Sequence, residues 1–172
     1  MGLFGNFLKK EEDKKGTRVS INEKEGVIYA PVNGKAATLE ALGDGMFSEK
    51  IMGDGIVIVP SDGEFISPVS GTVESVFPTG HAYGIRTVSG IEVLIHIGLD
   101  TVSLNGKGFN AHVTQGQKVS AGDRLATVDL NAVKNAGYRV ETIVIVTSEN
   151  NIIDRISADA VVKVGEKLLD LE

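Results

Sequence analysis

Six short runs rich in Val, Ile and Thr limit what this chain can fold into: VIYA (27–30), IVIV (56–59), GTVESVF (71–77), IEVLIHI (91–97), RLATVD (124–129) and TIVIVT (142–147). Branched side chains pack well on a pleated sheet, and glycine-bearing turns bound each run. The 21 glycines in 172 residues, well above the usual share of ~7%, fit many short elements joined by tight turns. The spacing predicts an all-β fold, a compact antiparallel β-sandwich or flattened barrel, rather than alternating βα units. Two stretches read as short helices. One runs from Asp44 through MFSEKIM to Gly53, the other from Asp129 through NAVKNA to Gly137. Each opens on an aspartate suited to an N-cap and closes on a glycine suited to a left-handed C-terminus.

The chain also echoes itself. Ala30-Pro31-Val32-Asn33-Gly34 returns as Ser67-Pro68-Val69-Ser70-Gly71, and Val113-Thr114-Gln115-Gly116-Gln117-Lys118-Val119 returns as Val162-Lys163-Val164-Gly165-Glu166-Lys167-Leu168. Proline fixes the entry to a strand and glycine allows a corner, so the echoes predict a duplicated β unit with equivalent corners in two copies.

Length and charge narrow the class. One domain is expected over 19–172, preceded by a flexible tail, 1–18. In that tail Leu3, Phe4, Phe7 and Leu8 would share one face of a short helix before the charged KKEEDKK, which allows at most weak membrane contact. Seventeen basic against 23 acidic residues give a net charge of −6, the wrong sign for nucleic acid. With no cysteine, thiolate nucleophiles, disulfides and cysteine zinc sites are excluded. No apolar run approaches the ~18 residues of a membrane helix, and the N-terminus lacks a signal peptide's longer apolar stretch. A cytoplasmic protein is expected, and a monomer, since no second apolar face is evident.

Three histidines are the side chains suited to proton or phosphoryl chemistry near neutral pH. In the 91–97 run, strand alternation sends Ile91, Val93, Ile95 and Ile97 to one face and Glu92, Leu94 and His96 to the other. The first face is a core face already filled, so His96 reads as functional. His81 lies in PTGHAYG (78–84), a corner between two strands, with Thr79 two residues earlier. Taken alone, it reads as an exposed turn histidine. His112 has no comparable context and reads as structural or surface. No P-loop or nucleophile elbow is present, so any phosphoryl group would arrive on another protein.

IEVLIHIGLDTVSLNGKGF (91–109), PTGHAYGI (78–85), EKIMGDGI (49–56) and APVNG (30–34) together closely resemble the glucose-family IIA component of the bacterial phosphoenolpyruvate-dependent sugar phosphotransferase system. The resemblance spans residues 26–172, and the chain looks like the free-standing form rather than part of a fused permease. It implies a phosphocarrier that takes a phosphoryl group from HPr and hands it to a cysteine of the IIB domain of a sugar permease (IICB). His96 matches the histidine phosphorylated on Nε2. His81 matches the second histidine, which binds the phosphoryl oxygens, and Thr79 the residue that orients it. Asp44 and Asp100 match acids that meet a partner's arginines, and Met46, Phe47, Ile51, Met52, Phe77, Leu94 and Val102 fall on the family's apolar docking rim. Gly80 stands where the family usually has Lys or Asn, which leaves the His81 corner more flexible. No cofactor is implied beyond the covalent phosphoryl group, with zinc at His81 and His96 expected to be incidental.

The competing readings are weaker. Lysostaphin-type zinc peptidases need H-x-x-x-D and H-x-H, but Ile85 and Gly98 occupy the ligand positions here. A biotinyl or lipoyl carrier needs a hairpin-tip lysine in a fixed motif. A regulatory binder would use the same docking face on other transporters and enzymes.

Overall fold

The computed structural model describes residues 18–172. Residues 1–17 lie outside the described part, and with them the expectations for the tail. The described chain starts where the Arg18 amide donates to the Gly122 carbonyl (3.1 Å) and its guanidinium to the Glu64 carbonyl (2.6 Å).

Thr142 to Val146 and Gly55 to Ile58 are continuous buried runs. A strand with one face in water alternates, so these two strands are covered on both sides. Among the described residues they belong to a fourteen-stranded set: β1 (Val27–Tyr29), β2 (Gly34–Ala37), β3 (Asp54–Pro60), β4 (Glu64–Ile66), β5 (Gly71–Val76), β6 (Ala82–Arg86), β7 (Glu92–Leu99), β8 (Phe109–Ala111), β9 (Lys118–Val119), β10 (Arg124–Val128), β11 (Arg139–Val146), β12 (Ile152–Arg155), β13 (Val161–Val162) and β14 (Lys167–Leu171). One helix, α1 (Leu130–Asn135), joins β10 to β11; as the sequence predicts, Asp129 caps it by accepting the Ala132 amide at 3.0 Å.

Every strand pairing is antiparallel. The main sheet runs β13-β2-β3-β11-β7-β6-β5-β9, and two three-stranded sheets, β1-β14-β12 and β4-β10-β8, complete the sandwich. Ile56, Ile58, Val144, Val146, Val93, Ile95 and Ile97 face the main core. On the outer side Val57, Ile143 and Ile145 carry a second cluster with Leu39, Leu42 and Phe47. The segment between β2 and β3 thus lies across the outer face of the central strands, which explains the unbroken apolar runs there.

That segment is not the helix expected from Asp44 to Gly53. Only a 3-10 turn at Glu40–Leu42 is regular. Gly43, Gly45, Lys50 and Gly53 all have positive φ (61°, 76°, 57° and 151°), and four such residues break a right-handed helix at both ends and inside. Asp44 behaves as a cap without a helix: its carboxylate accepts the amides of Met46, Phe47 and Ser48 (3.4, 3.2 and 2.9 Å).

The duplication is visible in the hydrogen bonds. Ala30 exchanges backbone bonds with Gly165 and Glu166, and Ser67 does the same with Gly122 and Asp123. The Asn33 side chain accepts the Val164 amide (2.8 Å) where the Ser70 hydroxyl accepts that of Ala121 (2.9 Å). Gly34 opposes Val162 as Gly71 opposes Val119. The Pro-containing corners are therefore equivalent. The second echo is offset: the topological counterpart of 162–166 is 119–123, not 113–117. The offset arises because one turn device recurs, a side-chain oxygen accepting the amide three residues before it, at Thr114–Gln117, Ser120–Asp123 and Lys163–Glu166. No helix among the described residues is long and apolar enough to cross a membrane.

Candidate functional site

β7 supplies His96 as the sequence alternation predicts. Val93, Ile95 and Ile97 are buried inward, while Glu92, Leu94 and His96 are only partly buried on the outer face. Just past His96 the strand bends out of register. Gly98 (φ 78°) and Asp100 (φ 58°) both take the left-handed conformation, and the Gly98 carbonyl turns back to lie 2.8 Å from His96 Nδ1. A carbonyl oxygen can only accept, so Nδ1 carries the proton and Nε2 keeps its lone pair. Thr101 secures the bend from beneath: fully buried, it donates its hydroxyl to the Ile97 carbonyl at 2.6 Å. A Cβ on Gly98 would stand 2.5 Å from Thr101 Cγ2 and 2.6 Å from the Arg139 carbonyl oxygen, so glycine is required there.

His81 comes from the corner before β6. Ala82 pairs directly with His96, and the His81 carbonyl accepts the Ile97 amide at 2.7 Å, so register places the two imidazoles side by side. Their centroids are 4.9 Å apart with ring planes at 79°. Contrary to the exposed turn histidine expected from the corner alone, His81 is 3% exposed. Its Nδ1 lies 2.6 Å from Thr79 Oγ1. Phe47 flanks His96 (5.1 Å) and Phe77 flanks His81 (5.2 Å), giving a row of four rings.

Burial, with the nearby His96 as a lesser cause, pushes His81 down to about 4. Burial also lowers His96, although the Gly98 carbonyl and the carboxylates of Asp100 and Asp44 pull it partly back. Both rings are therefore neutral near pH 7. Burial alone would raise Asp44, but the amides of Ser48, Phe47 and Met46 outweigh it and hold the carboxyl below the usual range.

The histidines line an open cleft of about 710 Å³. Around its mouth Met46, Met52, Phe77 and Val102 are exposed and Leu94 is partly buried; Ile51, at 71% exposed, stands on the same loop. Asp44 and Asp100 lie on the same walls. Phe47 lines the cleft too, but at 6% exposed it is mostly buried, packing in the outer cluster so that it pins the 38–53 segment to β3 and β11. His112 stands apart, exposed, with Nε2 2.6 Å from the Thr127 hydroxyl. Among the described residues no group of three or more His, Cys, Asp or Glu is placed to hold a metal ion.

Sequence reasoning missed three contributors. Thr101 sits within the quoted 91–109 motif, but its role shows only once the bend is seen. Tyr138 and Arg139 also line the cleft. Arg139 donates to the Leu42 carbonyl (2.9 Å), 97 residues away in sequence, and pairs with Glu141 (2.8 Å), tying the start of β11 to the loop that carries Asp44. No local signal announces that contact.

Comparison with known proteins identifies the family. Residues 26–152 match the family described as phosphoenolpyruvate-dependent sugar phosphotransferase system, EIIA 1. The glucose-specific EIICBA component of Streptococcus pneumoniae serotype 4 is 52% identical over 125 residues, 73% of this chain and 17% of that protein. The glucose-specific EIIA component of Halalkalibacterium halodurans is 47% identical over 136 residues, 79% of each chain. The β-glucoside-specific EIIBCA component of the same organism is 47% identical over 161 residues, 93% of this chain and 25% of its own length. The chain thus spans only a fraction of the two multi-unit relatives and most of the single-unit one. The solved structure of glucose permease IIA from Mycoplasma capricolum has a TM-score of 0.80 at 40% identity, covering 88% of this chain and 98% of that one. On the family match and the relative of equal coverage together, this chain belongs to the EIIA 1 family of the phosphoenolpyruvate-dependent sugar phosphotransferase system.

Proposed function

We propose that this chain relays a phosphoryl group for sugar uptake coupled to phosphorylation, accepting it on His96 Nε2 from phospho-HPr and passing it to a cysteine of a sugar-specific IIB unit. One observation carries the reading most directly: the bond from His96 Nδ1 to the Gly98 carbonyl fixes the tautomer and leaves Nε2 as the free nitrogen of a cleft-lining ring. An imidazole so prepared attacks phosphorus in line without first losing a proton. The new P–N bond forms as the donor's P–N bond breaks, and the donor nitrogen leaves with that electron pair. In onward transfer a cysteine thiolate attacks, a P–S bond forms, and His96 Nε2 recovers its lone pair.

His81 serves as the electrophile. With Thr79 donating to Nδ1, the ring carries its proton on Nε2 and donates it as a hydrogen bond to the phosphoryl oxygens as charge shifts among them. Its low pKa suits that role, since a neutral donor neither repels a partner's arginine nor traps the phosphorylated state as a strong ion pair would. The apolar rim and the flanking carboxylates suit a transient partner that brings arginine. A IIB acceptor is in keeping with the two relatives named EIICBA and EIIBCA. Both histidines being neutral, adventitious zinc could bind them; we propose it plays no part in the relay, and chelation is expected to leave transfer unchanged.

The test is intact mass after mixing the chain with phosphoenolpyruvate, enzyme I and HPr. The expected result is one added phosphoryl group, labile to acid and stable to base, absent in His96→Gln. No gain in the wild type would turn the reading toward a regulatory binding protein on the same fold.

A further inference from the structure

The corner that delivers His81 rests on a glycine. Gly80 has φ 70° and donates its amide to the Phe77 carbonyl at 2.7 Å, closing a tight turn immediately before the histidine. Glycine reaches positive φ at no steric cost, but for the same reason it does not by itself exclude other conformations. Something else must fix the peptide that links Gly80 to His81. The Gly80 carbonyl accepts the hydroxyl of Tyr83 at 2.9 Å. Tyr83 is fully buried in the main core, and its ring is held by packing from all sides. Burial raises its pKa, so the phenol remains protonated and stays a donor. The hydroxyl thus reaches from the rigid interior to the one carbonyl whose orientation sets the start of the His81 backbone. Thr79 orients the ring from its own end, at Nδ1.

We infer that Tyr83 is a positioning residue for His81: its buried hydroxyl latches the Gly80 carbonyl and so holds the imidazole at the orientation that faces His96. The inference rests on the relay reading for its kinetic consequence but not for its structural one. Removing a single oxygen, as in Tyr83→Phe, keeps the ring in the core and leaves a buried carbonyl without its partner. A net hydrogen bond of this kind is worth roughly a factor of five to ten in an equilibrium, and the molecules in which that shift misplaces His81 would not contact the phosphoryl group.

The experiment is NMR of the histidine ring nitrogens in the full chain, across pH, for wild type, Tyr83→Phe and Tyr83→Phe/Gly80→Asn, followed by onward phosphoryl transfer to a purified IIB domain. In Tyr83→Phe the His81 signals should reveal a second tautomer and titrate at higher pH, while the His96 Nδ1–H signature stays in place. Transfer to IIB should slow, by at most the roughly five- to tenfold that one hydrogen bond of this kind allows, about fivefold or more only where the unlatched form becomes the major one. Asparagine tolerates the left-handed region with fewer alternatives than glycine, and a Cβ at residue 80 would meet only ordinary contacts (3.4 Å to Phe109 Cβ and 3.6 Å to the Tyr83 hydroxyl). The double variant should therefore recover the wild-type His81 spectrum and most of the rate. An unchanged His81 spectrum in Tyr83→Phe overturns the inference, and so does a joint shift of both histidines, which would report a loosened core. If the wild type carries no phosphate at all, the relay reading falls, while the spectra still decide the latch.

Discussion

His96 and His81 face each other across 4.9 Å, yet the chain holds them by different means. His96 sits within a long strand, and its ring is locked by main chain: Gly98 turns its carbonyl back, and Thr101 braces the bend through the Ile97 carbonyl. A carbonyl accepts and never donates, so this ring has one neutral tautomer. His81 sits at a corner and is held by side chains, with the Thr79 hydroxyl at Nδ1 and the Tyr83 hydroxyl one peptide back. A hydroxyl donates or accepts, so the tautomer of this ring depends on which way the Thr79 proton points and on the corner staying in place, not on an acceptor alone. The contrast suits the proposed relay, in which one ring would present a lone pair at all times and its neighbour would meet a phosphoryl group arriving and leaving.

Exchanging the side-chain-held ring tests the difference between the two histidines most directly. In His81→Gln, His96 keeps its carbonyl lock and should still take up one phosphoryl group, while transfer to IIB should fall by about 10²–10³, the usual cost of one oriented transition-state donor. Rapid-quench transfer from the purified phosphoprotein measures it; wild-type onward rates would remove His81 from the chemistry.

The main-chain lock is tested by Gly98→Ala. A side chain at φ 78° is strained by roughly 1–3 kcal/mol, and the added Cβ meets both Thr101 and the Arg139 carbonyl oxygen. The variant is expected to lose about 3 kcal/mol or more in urea unfolding and to show His96 in two tautomers. A stable variant with a single Nδ1–H form would mean that the bend does not set the tautomer.

How much of this contrast was legible in the sequence depends on range. His96 was legible because alternation along one strand is a local signal, and Val93, Ile95 and Ile97 left no room for it in the core. The β runs were legible for the same reason. The burial of His81 was not, since it depends on the pairing of Ala82 with His96 and on Tyr83 beneath the corner. Asp44-Gly45-Met46-Phe47-Ser48 carries a helix-start signal and a cap that forms, but the positive φ of the surrounding glycines and of Lys50 belongs to a loop laid over β3 and β11. Phe47 and Met46 are neighbours of similar hydrophobicity, and only that loop's path decides that one is core and the other rim. The repeat was legible through its prolines, while the recurring turn device displaced the second echo.

Acid should separate the two rings further. His81 is pushed from 6.5 to about 4 by burial and by His96, so the native state binds fewer protons than the unfolded one between those values. Stability then rises with pH through that window: it is complete above about 6.5 and is lost as pH falls toward 4. His96 and His112 are lowered too and act in the same direction. Between pH 7 and 5 the His81 share is about 2 kcal/mol. Urea midpoints at the two pH values should show that loss in the wild type and a smaller one in His81→Gln; equal pH dependence would place the acid sensitivity elsewhere.

The smallest expected effect asks whether the rim serves the pair or merely surrounds it. Ile51 is 71% exposed on the loop that Phe47 anchors, while the ring contacts of the two histidines are with Phe47, Phe77 and each other. Replacing it with serine removes exposed apolar surface from the loop beside the cleft without opening the core, so unfolding should shift by less than about 0.5 kcal/mol. A residue at the edge of a transient interface is worth about 1 kcal/mol or less, so KM for phospho-HPr should rise about two- to fivefold with kcat unchanged. A change in kcat instead would mean that the loop moves the rings, because a rim that only docks partners alters encounter and leaves the aligned pair of imidazoles as it was.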